Sequence, residues 1–346
     1  MKNSPKVSVL LPVLNSLPFL HERLQTIENQ TFHDWELVIV DGYSDDGSWE
    51  LLQSFANNDA RCKLTQSPRR GVYAALNECI RQTAGEYVYV ATSDDTMQPN
   101  CLEAMVTALD AHRECDVCHT CLQIIDAQGH PIDNWRQFDS ARFYGELINL
   151  PHIRRAPLDG LLHCALYMMY CSLTQLLMRR TVFEKVGIFP TNRGTIGDFE
   201  WGMRVGLTCN ILHIPVTLAT WRRHPEQATN AEFLKTADYY AQLCEMILAA
   251  LPLLQSSHPN VFQKIRRQRL LYPYRQKQCI IGMGEQQSWQ RKLHFLGKIM
   301  VISPRHAIEF VIQRCFGRVG YIDRLAYIQQ ELHRVGLHVE TSVKSI

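Results

Sequence analysis

The sequence lacks the features that mark several broad classes of protein. The uncharged stretch 161–178 approaches the roughly 18 residues of a membrane span, but it contains four polar side chains, those of His163, Ser172, Thr174 and Gln175. The N-terminal segment shows neither an extended apolar core nor a small-residue cleavage site, and no internal repeat or low-complexity tract is found. We therefore expect neither a membrane-spanning chain nor a secreted one.

A strong excess of charge of one sign is also missing. The net charge of the 346 residues is +2, which favours no nucleic-acid partner, and we predict none. The charge is uneven, however, because residues 1–225 hold 20 basic against 25 acidic side chains and residues 226–346 hold 16 against 9. The basic second part either contacts anionic lipid or is a solvated helical surface, and composition leaves both interpretations open.

Cysteine is abundant, with twelve residues, yet the N-terminus does not resemble a secretory leader. This combination predicts a reducing, cytoplasmic environment without structural disulfides. Cys115, Cys118 and Cys121 have the spacing of a metal motif. On a strand, Cys118 and Cys121 would project from opposite faces, and no fourth cysteine lies nearby, so we interpret all three as structural.

Apolar segments alternate with helical patterns in the first two thirds of the chain. Four strands are predicted at residues 6–13, 36–41, 62–66 and 87–93, and the helices that follow them end near residues 30, 57, 83 and 112. This rhythm predicts an α/β fold with a doubly wound sheet in residues 1–225. In residues 226–346 helical patterns dominate, broken by Pro252, Pro259, Pro273 and Pro304. Within 161–178 we expect a loop or short helix and then a buried strand, followed by a helix that Gly187 ends.

Three acidic clusters carry most of the functional information, and they are Asp41 with Asp45 and Asp46, Asp94 with Asp95, and Asp198 with Glu200. The first two follow predicted strands, so their carboxylates should gather at the carboxyl edge of the sheet, where open α/β folds bind ligands. Carboxylate oxygens suit Mg²⁺ or Mn²⁺, which can hold a diphosphate. One such cluster alone would be interpreted as a turn or a helix cap. Three clusters with this spacing favour a ligand site.

Five short motifs resemble those of the family 2 glycosyltransferases with the GT-A fold, and in order they are VSVLLPVLN, VDGYSDDGS, GVYAALN, TSDD and GDFEWGMR. The resemblance covers about residues 6–225 and implies a GT-A-type doubly wound mixed sheet with a helical C-terminal extension. It implies an inverting transfer of a sugar from a nucleotide diphosphate sugar, most often a UDP-sugar, to the hydroxyl of a carbohydrate or lipid-linked acceptor. Mn²⁺ or Mg²⁺ is the implied cofactor, and surface polysaccharide or glycan biosynthesis is the implied process.

The resemblance also implies roles for single residues. Asp95 is identified as the metal ligand, and His224, in the Arg-and-His segment 221–225, as a further ligand or a phosphate contact. Taken alone, His224 would be interpreted as structural. Asp198 is identified as the general base that takes the proton of the acceptor hydroxyl. Donor contacts are implied for Pro12, Val13, Asn15, Asp41, Arg69, Arg70, Gly71, Asn77 and Asp94.

The chain departs from the family pattern at several of these positions. Gly197 stands where many relatives carry Glu, and Arg69 and Ala74 stand where relatives often carry Asp. Arg69 and its neighbour at 70 either contact phosphate closely, accommodate an acidic donor sugar, or form an exposed pair. Arg204, for its part, is expected to pair with Glu200 four residues earlier.

Two other functions remain open at this stage. The residues at 74 and 197 are compatible with a catalytically weak nucleotide-sugar-binding or scaffolding subunit of a glycan assembly complex. A sugar nucleotidyltransferase would share the same strand and helix rhythm, but it usually begins with a glycine-rich loop bearing Arg and Lys, which VSVLLPVLN lacks.

The second region contains a dense basic segment, with Lys264, Arg266, Arg267, Arg269, Arg275 and Lys277 among large apolar residues. Such a segment either lies on an anionic membrane, which would place the protein peripherally on its inner face, or packs as an ordinary helix with its basic face in water. Pro273 favours the second interpretation because it would interrupt a long amphipathic surface.

Overall fold

The computed structural model divides into a unit that contains a large sheet and a helical unit. The first comprises Met1–His163, Met168–His224 and Val339–Ile346, and the second comprises Cys164–Tyr167 and Pro225–His338. The structure describes residues 4–227, 236–302, 304, 307–308, 311–312, 324–339 and 343–345. Residues 343–345 pair with the sheet, although the sequence pattern grouped them with the helical region.

One mixed sheet forms the framework of the first unit. Its strands are β1 Val7–Val13, β2 Trp35–Asp41, β3 Cys62–Gln66, β4 Tyr87–Val90, β5 Val117–Ile125, β6 Pro131–Asn134, β7 His152–Arg154, β8 Leu176–Arg179, β9 Ile211–Arg222 and β10 Val343–Ser345. Their order is β10-β7-β9-β5-β8-β4-β1-β2-β3, with β6 beside β5. Strands β4, β1, β2 and β3 are parallel, whereas β8 is antiparallel to both β4 and β5. The predicted doubly wound mixed sheet is confirmed.

Helices connect the strands of the first unit. They are α1 Leu17–Glu28, α2 Ser48–Asn58, α3 Val72–Gln82, α4 Cys101–Ala111, α5 Asp139–Tyr144, α6 Leu158–Leu166, α7 Thr181–Val186 and α8 Gly197–Thr208. The first four end within two residues of the predicted positions. The uncharged stretch 161–178 forms the second part of α6, a 3₁₀ turn and the start of β8, and α7 ends at Gly187 with φ of 76°, as predicted.

The central strands are buried on both faces, which explains their continuous apolar sequences. All seven residues of β1 are buried, and alternate side chains enter two separate cores. Val9 packs in a core that includes residues of α1 and α4. Leu10 packs in a second core that includes residues of α3, α7 and α8. The alternation therefore places helices on both faces of the sheet.

The second unit consists of helices, as the sequence pattern predicted. They are α9 Ala237–Ser257, α10 Pro259–Lys264, α11 Arg267–Glu285, α12 Trp289–Ile302 and α13 Arg324–Val335. The prediction that Pro252 and Pro273 break helices is wrong, because they lie inside α9 and α11. Each proline removes one helical hydrogen bond, and burial of neighbouring apolar side chains such as Leu251 and Tyr274 offsets that loss. Within the described residues, no helix combines the length and apolarity needed to cross a membrane.

Three buried histidines occupy adjacent strands at matching register. His213 of β9 lies opposite both His119 of β5 and His152 of β7. Burial lowers the pKa of His152 to about 4 and that of His213 to about 3, so both rings are neutral at pH 7. His213 Nε2 lies 2.9 Å from the Ile148 carbonyl oxygen and therefore donates to it. His213 Nδ1 then accepts the proton of His119 Nδ1 across 3.0 Å.

This histidine layer predicts that the first unit loses stability as the pH falls from 7 to 5. The pKa values of His119 and His163 are lowered by burial as well. The unfolded chain takes up protons near pH 6.5 that the folded rings exclude, and each such proton costs about 1.4 kcal/mol per pH unit. Burial raises the pKa of Asp95 to about 7 and raises that of Asp198, and these two carboxyls act in the opposite direction. Four histidines outweigh two carboxyls, so the net effect of acid is destabilising.

Urea unfolding at pH 7, 6 and 5 measures this dependence. The midpoint should fall with pH, and His163→Gln should reduce the slope by about one proton. His33→Gln, at an exposed position, should leave the slope unchanged. A midpoint that does not move between pH 7 and 5 would contradict the prediction that the four histidines outweigh the two carboxyls.

Candidate active site

The acidic turn that follows β4 is hydrogen-bonded to the last residues of β9. The Thr96 backbone N–H donates to the Thr220 hydroxyl oxygen at 2.9 Å, and Gln98 N–H donates to the Leu218 carbonyl oxygen at 2.8 Å. A single bridge pairs Met97 with Ala219. These contacts bring the predicted metal-binding turn and the predicted Arg-and-His segment to one place, although they are far apart in the chain.

Asp95 is at the centre of this junction and is almost completely buried. One carboxylate oxygen accepts the Arg222 backbone N–H at 2.8 Å, and the other accepts the hydroxyls of Thr92 and Ser172. Burial, and then the charge of Asp94, raise the pKa of Asp95 to about 7. The carboxyl group thus holds the turn together, and its side chain is less accessible than the sequence pattern suggested.

Asp94 is the more accessible of the two carboxylates. Its Oδ2 lies 3.1 Å from Nε2 of His224, with the two side chains 26% and 11% exposed. The His224 ring also packs against Phe19, with 4.7 Å between ring centroids. The Asp94 carboxylate is the type of ligand that Mn²⁺ and Mg²⁺ prefer, and such ions take their remaining ligands from phosphate and water. The softer His224 imidazole suits Mn²⁺ better than Mg²⁺. The described residues contain no group of three His, Cys, Asp or Glu side chains that could hold a metal ion by themselves.

Arg222 also holds this junction together through hydrogen bonds, although no sequence motif identified it as a site residue. Its guanidinium group donates to the Asp94 carbonyl oxygen at 2.8 Å and pairs with Glu22 at 2.6 Å. The Arg222 side chain is 2% exposed. A buried guanidinium requires several acceptors, and here they come from α1 and from the segments after β4 and β5. The double arginine before His224 was the available signal.

The loops after β1 and β2 are tied together at the same edge. Pro12 and Val13 are buried within β1, while Asn15 is exposed. The Asn15 amide donates to Asp45 at 2.8 Å and accepts the Asp45 backbone N–H at 3.0 Å. The hydrogen bond from Asn15, and then Arg69, lower the pKa of Asp45. The side chains of Asn15, Asp45 and Arg69 reach solvent, whereas Pro12 and Val13 do not.

Asp41 is fully buried, and its carboxylate accepts hydrogen bonds from the backbone and hydroxyl of Ser44 and from Gln66. Arg69 donates to the carbonyl oxygens of Gly42 and Tyr43 and pairs with Asp45 at 3.3 Å. Both side chains therefore hold the 42–45 loop. Their predicted donor contacts stay predictions.

The remaining predicted donor residues lie at or near the start of α3. Arg70 is exposed, and Gly71, at the N-terminus of the helix, has φ of 91°. Asn77 is buried, and its amide bonds to both the N–H and the carbonyl oxygen of Phe189, at 3.0 and 2.8 Å. Asn77 thereby anchors the segment that leads to Asp198.

Asp198 begins α8 beside two tyrosines. The Tyr170 hydroxyl donates to the Asp198 carbonyl oxygen at 3.0 Å, and the Tyr73 hydroxyl donates to the Thr195 carbonyl oxygen at 3.0 Å. Burial raises the pKa of the Asp198 carboxyl, and hydrogen bonds from Tyr73 and the Phe199 backbone N–H oppose that shift. A carboxylate with a raised pKa is a stronger base than an exposed one.

A short segment links Asp198 to the acidic turn. Tyr170 bonds to Asp198, and Ser172, two residues later, bonds to Asp95 at 3.2 Å. Residues 170–172 therefore connect the second and third acidic clusters through hydrogen bonds. The predicted ion pair between Glu200 and Arg204 is not formed. Glu200 pairs with Arg193 at 3.1 Å, and Arg204 donates to the carbonyl oxygens of residues 186 and 188.

Comparison with known proteins identifies the family. The model of the Glycosyl transferase family 2 matches residues 8–187, which is more than half of the chain. The chain belongs to glycosyl transferase family 2. The predicted resemblance to this family is therefore confirmed.

Individual relatives are distant. Over 131 residues the chain is 32% identical to the putative glycosyltransferase EpsE of Bacillus subtilis, an alignment covering 37% of this chain and 47% of EpsE. It is 25% identical to the uncharacterized glycosyltransferase RT0329 of Rickettsia typhi over 239 residues, covering 69% of this chain and 70% of that protein. The chain spans less than half the length of the first curated relatives, EpsE and EpsH.

Solved structures show the same fold. S. aureus TarS residues 1–349, crystallised with UDP-GlcNAc, matches with a TM-score of 0.62 at 16% identity, covering 96% of this chain and 93% of that one. The match to the complex with UDP has a TM-score of 0.60 at 17% identity, covering 96% and 92%. At these identities the likeness extends to the fold alone.

The departure of this family 2 member at position 197 has a steric cause. A Cβ atom on Gly197 would lie 2.7 Å from the Pro190 carbonyl oxygen and 2.7 Å from the Tyr73 ring. Real Cβ atoms essentially never approach so closely. The Tyr73 ring thus occupies the space that a larger residue before Asp198 would need.

Gly197→Glu introduces the residue that the family resemblance implies at this position. We predict that it lowers both the stability and the activity of the protein. Overpacking of this kind costs about 1–3 kcal/mol, and it would displace the start of α8 together with Asp198. Thermal unfolding and donor turnover should both decline. Gly284→Ala is the matched control, because its Cβ would meet nothing within 4 Å. A Gly197→Glu variant as stable and active as the wild type would contradict the steric account.

Proposed function

We propose that the protein is an inverting, metal-dependent glycosyltransferase that moves a sugar from a nucleotide diphosphate sugar to an acceptor hydroxyl in polysaccharide or glycan biosynthesis. Membership of family 2 supports the reaction class. A similar protein from Bacillus subtilis is described as a putative teichuronic acid biosynthesis glycosyltransferase, which supports the process. The TarS crystals contain UDP and UDP-GlcNAc, so we propose a UDP-sugar as the donor.

The observation that carries the proposal is the contact between Asp94 and His224 on the turn that Asp95 fixes, with Asp198 linked to that turn through the 170–172 segment. Asp94 and His224 would hold a divalent ion, with Asp95 fixing the turn that presents them. When bound, the ion would offset negative charge on the diphosphate leaving group. The predicted role of Asp95 as a direct ligand remains a prediction, and its three hydrogen bonds favour the supporting role.

Asp198 acts on the acceptor in this proposal. The acceptor oxygen attacks the anomeric carbon, the bond from that carbon to the phosphate oxygen breaks, and the nucleoside diphosphate leaves with the bonding electrons. Asp198 takes the acceptor proton, and the opposite-face attack inverts the anomeric configuration. Since Asp198 must be ionised to do so, the rate should rise with pH through its raised pKa.

Asp198→Asn and Asp94→Asn separate chemistry from binding. Asp198→Asn should reduce transfer by about 10²- to 10⁴-fold and preserve affinity for the nucleoside diphosphate, because the proton it removes belongs to the acceptor. Asp94→Asn should weaken nucleotide binding in Mn²⁺ and leave binding in EDTA unchanged. Isothermal titration and turnover with a panel of nucleotide sugars measure both effects.

Glu184→Gln, an exposed carboxylate in α7, is the control for both variants. Equal loss of nucleotide affinity and turnover in Asp198→Asn would make Asp198 a donor-site residue. Full turnover in EDTA would refute the proposed dependence on a metal ion. Binding of a donor without turnover by the wild type would favour the scaffolding alternative, and exchange dependent on pyrophosphate would favour a nucleotidyltransferase.

We further propose that any membrane contact is made by α12 and not by the basic segment 264–277. The large apolar side chains of that segment are buried, including Ile265, Leu270, Tyr272 and Tyr274. In α12, by contrast, Trp289 is 68% and Leu293 57% exposed. The same helix carries Arg291, Lys292 and Lys298 and no acidic residue. Exposed apolar and basic groups on one helix suit an anionic lipid surface.

Sedimentation with anionic liposomes at low salt measures this contact. The double variant Trp289→Ser/Leu293→Ser should pellet less than the wild type, because burial of these side chains in lipid would be lost. Leu150→Ser is the control, since Leu150 is 52% exposed in the first unit. A wild type that stays in the supernatant at low salt would leave α12 without a membrane role.

A further inference from the structure

Tyr43 adopts a backbone conformation that tyrosine usually avoids. Its φ is +59°, in the left-handed region, and among the described residues only Asn15 and Tyr167 share a positive φ without being glycine. Asparagine enters this region readily, whereas a bulky side chain is strained there. Strain of this kind persists only where surrounding contacts impose it, and it concentrates at functional sites.

Contacts on both sides impose the conformation of Tyr43. Before it, Arg69 Nε donates to the Gly42 carbonyl oxygen at 3.0 Å, and the same guanidinium donates to the carbonyl oxygen of Tyr43 itself. After it, the Ser44 backbone N–H donates to the buried Asp41 carboxylate at 3.0 Å. Asp41 and Arg69 thus act as positioning residues for Tyr43.

The Tyr43 ring returns little of this strain through packing, because the residue is 53% exposed. Tyr167, the other tyrosine with a positive φ, differs in that its hydroxyl is hydrogen-bonded to the hydroxyl of Tyr239. The folded state of the free protein therefore gains nothing obvious from a strained, exposed aromatic ring at position 43. A bound ligand would supply the missing contact.

The position of the ring indicates which part of a ligand it meets. Tyr43 follows β2, and Leu14, 47% exposed, follows β1 at the same carboxyl edge of the sheet. The two loops are in contact, since Gly42 N–H donates to the Val13 carbonyl oxygen at 2.8 Å and a Cβ on Gly42 would lie 3.2 Å from Leu14. Two exposed apolar groups on touching loops suit a flat, partly apolar ligand better than a sugar or a phosphate.

We propose that the Tyr43 ring stacks on the nucleobase of the donor, with Leu14 beside it, and that this contact sets much of the affinity for the nucleotide. The inference rests on the proposed function and adds a recognition residue to it. Stacking between an aromatic side chain and a base depends on the π face and not on hydrogen-bond readout, so it tolerates more than one base.

Two substitutions separate the ring from the backbone that carries it. Tyr43→Asn removes the ring but keeps a residue suited to the left-handed conformation, and Tyr43→Phe keeps the ring. Titration in Mn²⁺ uses the nucleoside diphosphate that binds the wild type most tightly among UDP, GDP, CDP and dTDP. Tyr43→Asn should weaken its binding by about 10- to 100-fold, and Tyr43→Phe by less than about 3-fold.

Pyrophosphate with Mn²⁺ is the second probe, because it lacks the base. Its affinity should be the same in all three proteins, and the thermal midpoint of Tyr43→Asn should not fall. Unchanged nucleotide affinity in Tyr43→Asn would overturn the stacking role, and a parallel loss of pyrophosphate affinity would show that the loop has collapsed instead. A wild type that binds none of the four nucleotides would refute the proposed function itself.

Discussion

The site depends on the hydrogen bonds between the turn that follows β4 and the end of β9. In the sheet these strands are separated by β5 and β8, so the acidic turn must cross that gap at the carboxyl edge. Arg222 holds the turn in place because its backbone N–H donates to the Asp95 carboxylate and its guanidinium donates to the Asp94 carbonyl oxygen. Because this guanidinium is buried, the charge has no good alternative partner in water, and the turn is held in one arrangement.

Much of the fold could be predicted because its signals are local. The first four strands and the four helices that follow them could be predicted from apolar runs, helix patterns and turn residues within short windows. Strands β7, β9 and β10 were not predicted, since the strands with which they pair lie far away in the chain. The prolines in α9 and α11 misled the prediction, because the burial that stabilises those helices is a tertiary effect.

The candidate site was predictable in its residues but less so in their division of labour. Sequence motifs identified Asp41, Asp95 and Asn77 without indicating that each would be buried and saturated by internal hydrogen bonds. The side chains that remain accessible, such as Asp94 and Asn15, are their neighbours. A polar residue at a sheet edge is either accessible to a ligand or buried, where it holds a neighbouring residue in place. Long-range contacts determine which of the two applies. Arg222 shows the same effect from the other side.

Strand β10 determines how residues 225–338 are connected to the sheet along the chain. Val343–Ser345 pairs with β7, so nine described strands of the sheet precede residues 225–338 in the chain and one follows them. This stretch is therefore an insertion between β9 and β10, and not a C-terminal appendage. Shortening the chain from residue 345 would uncover the backbone hydrogen-bonding groups of β7, a three-residue strand, before it removed any part of α13. Exchanging residues 225–338 between relatives would accordingly require two junctions, one after His224 and one before β10, and would leave Cys164–Tyr167 of the same unit in place.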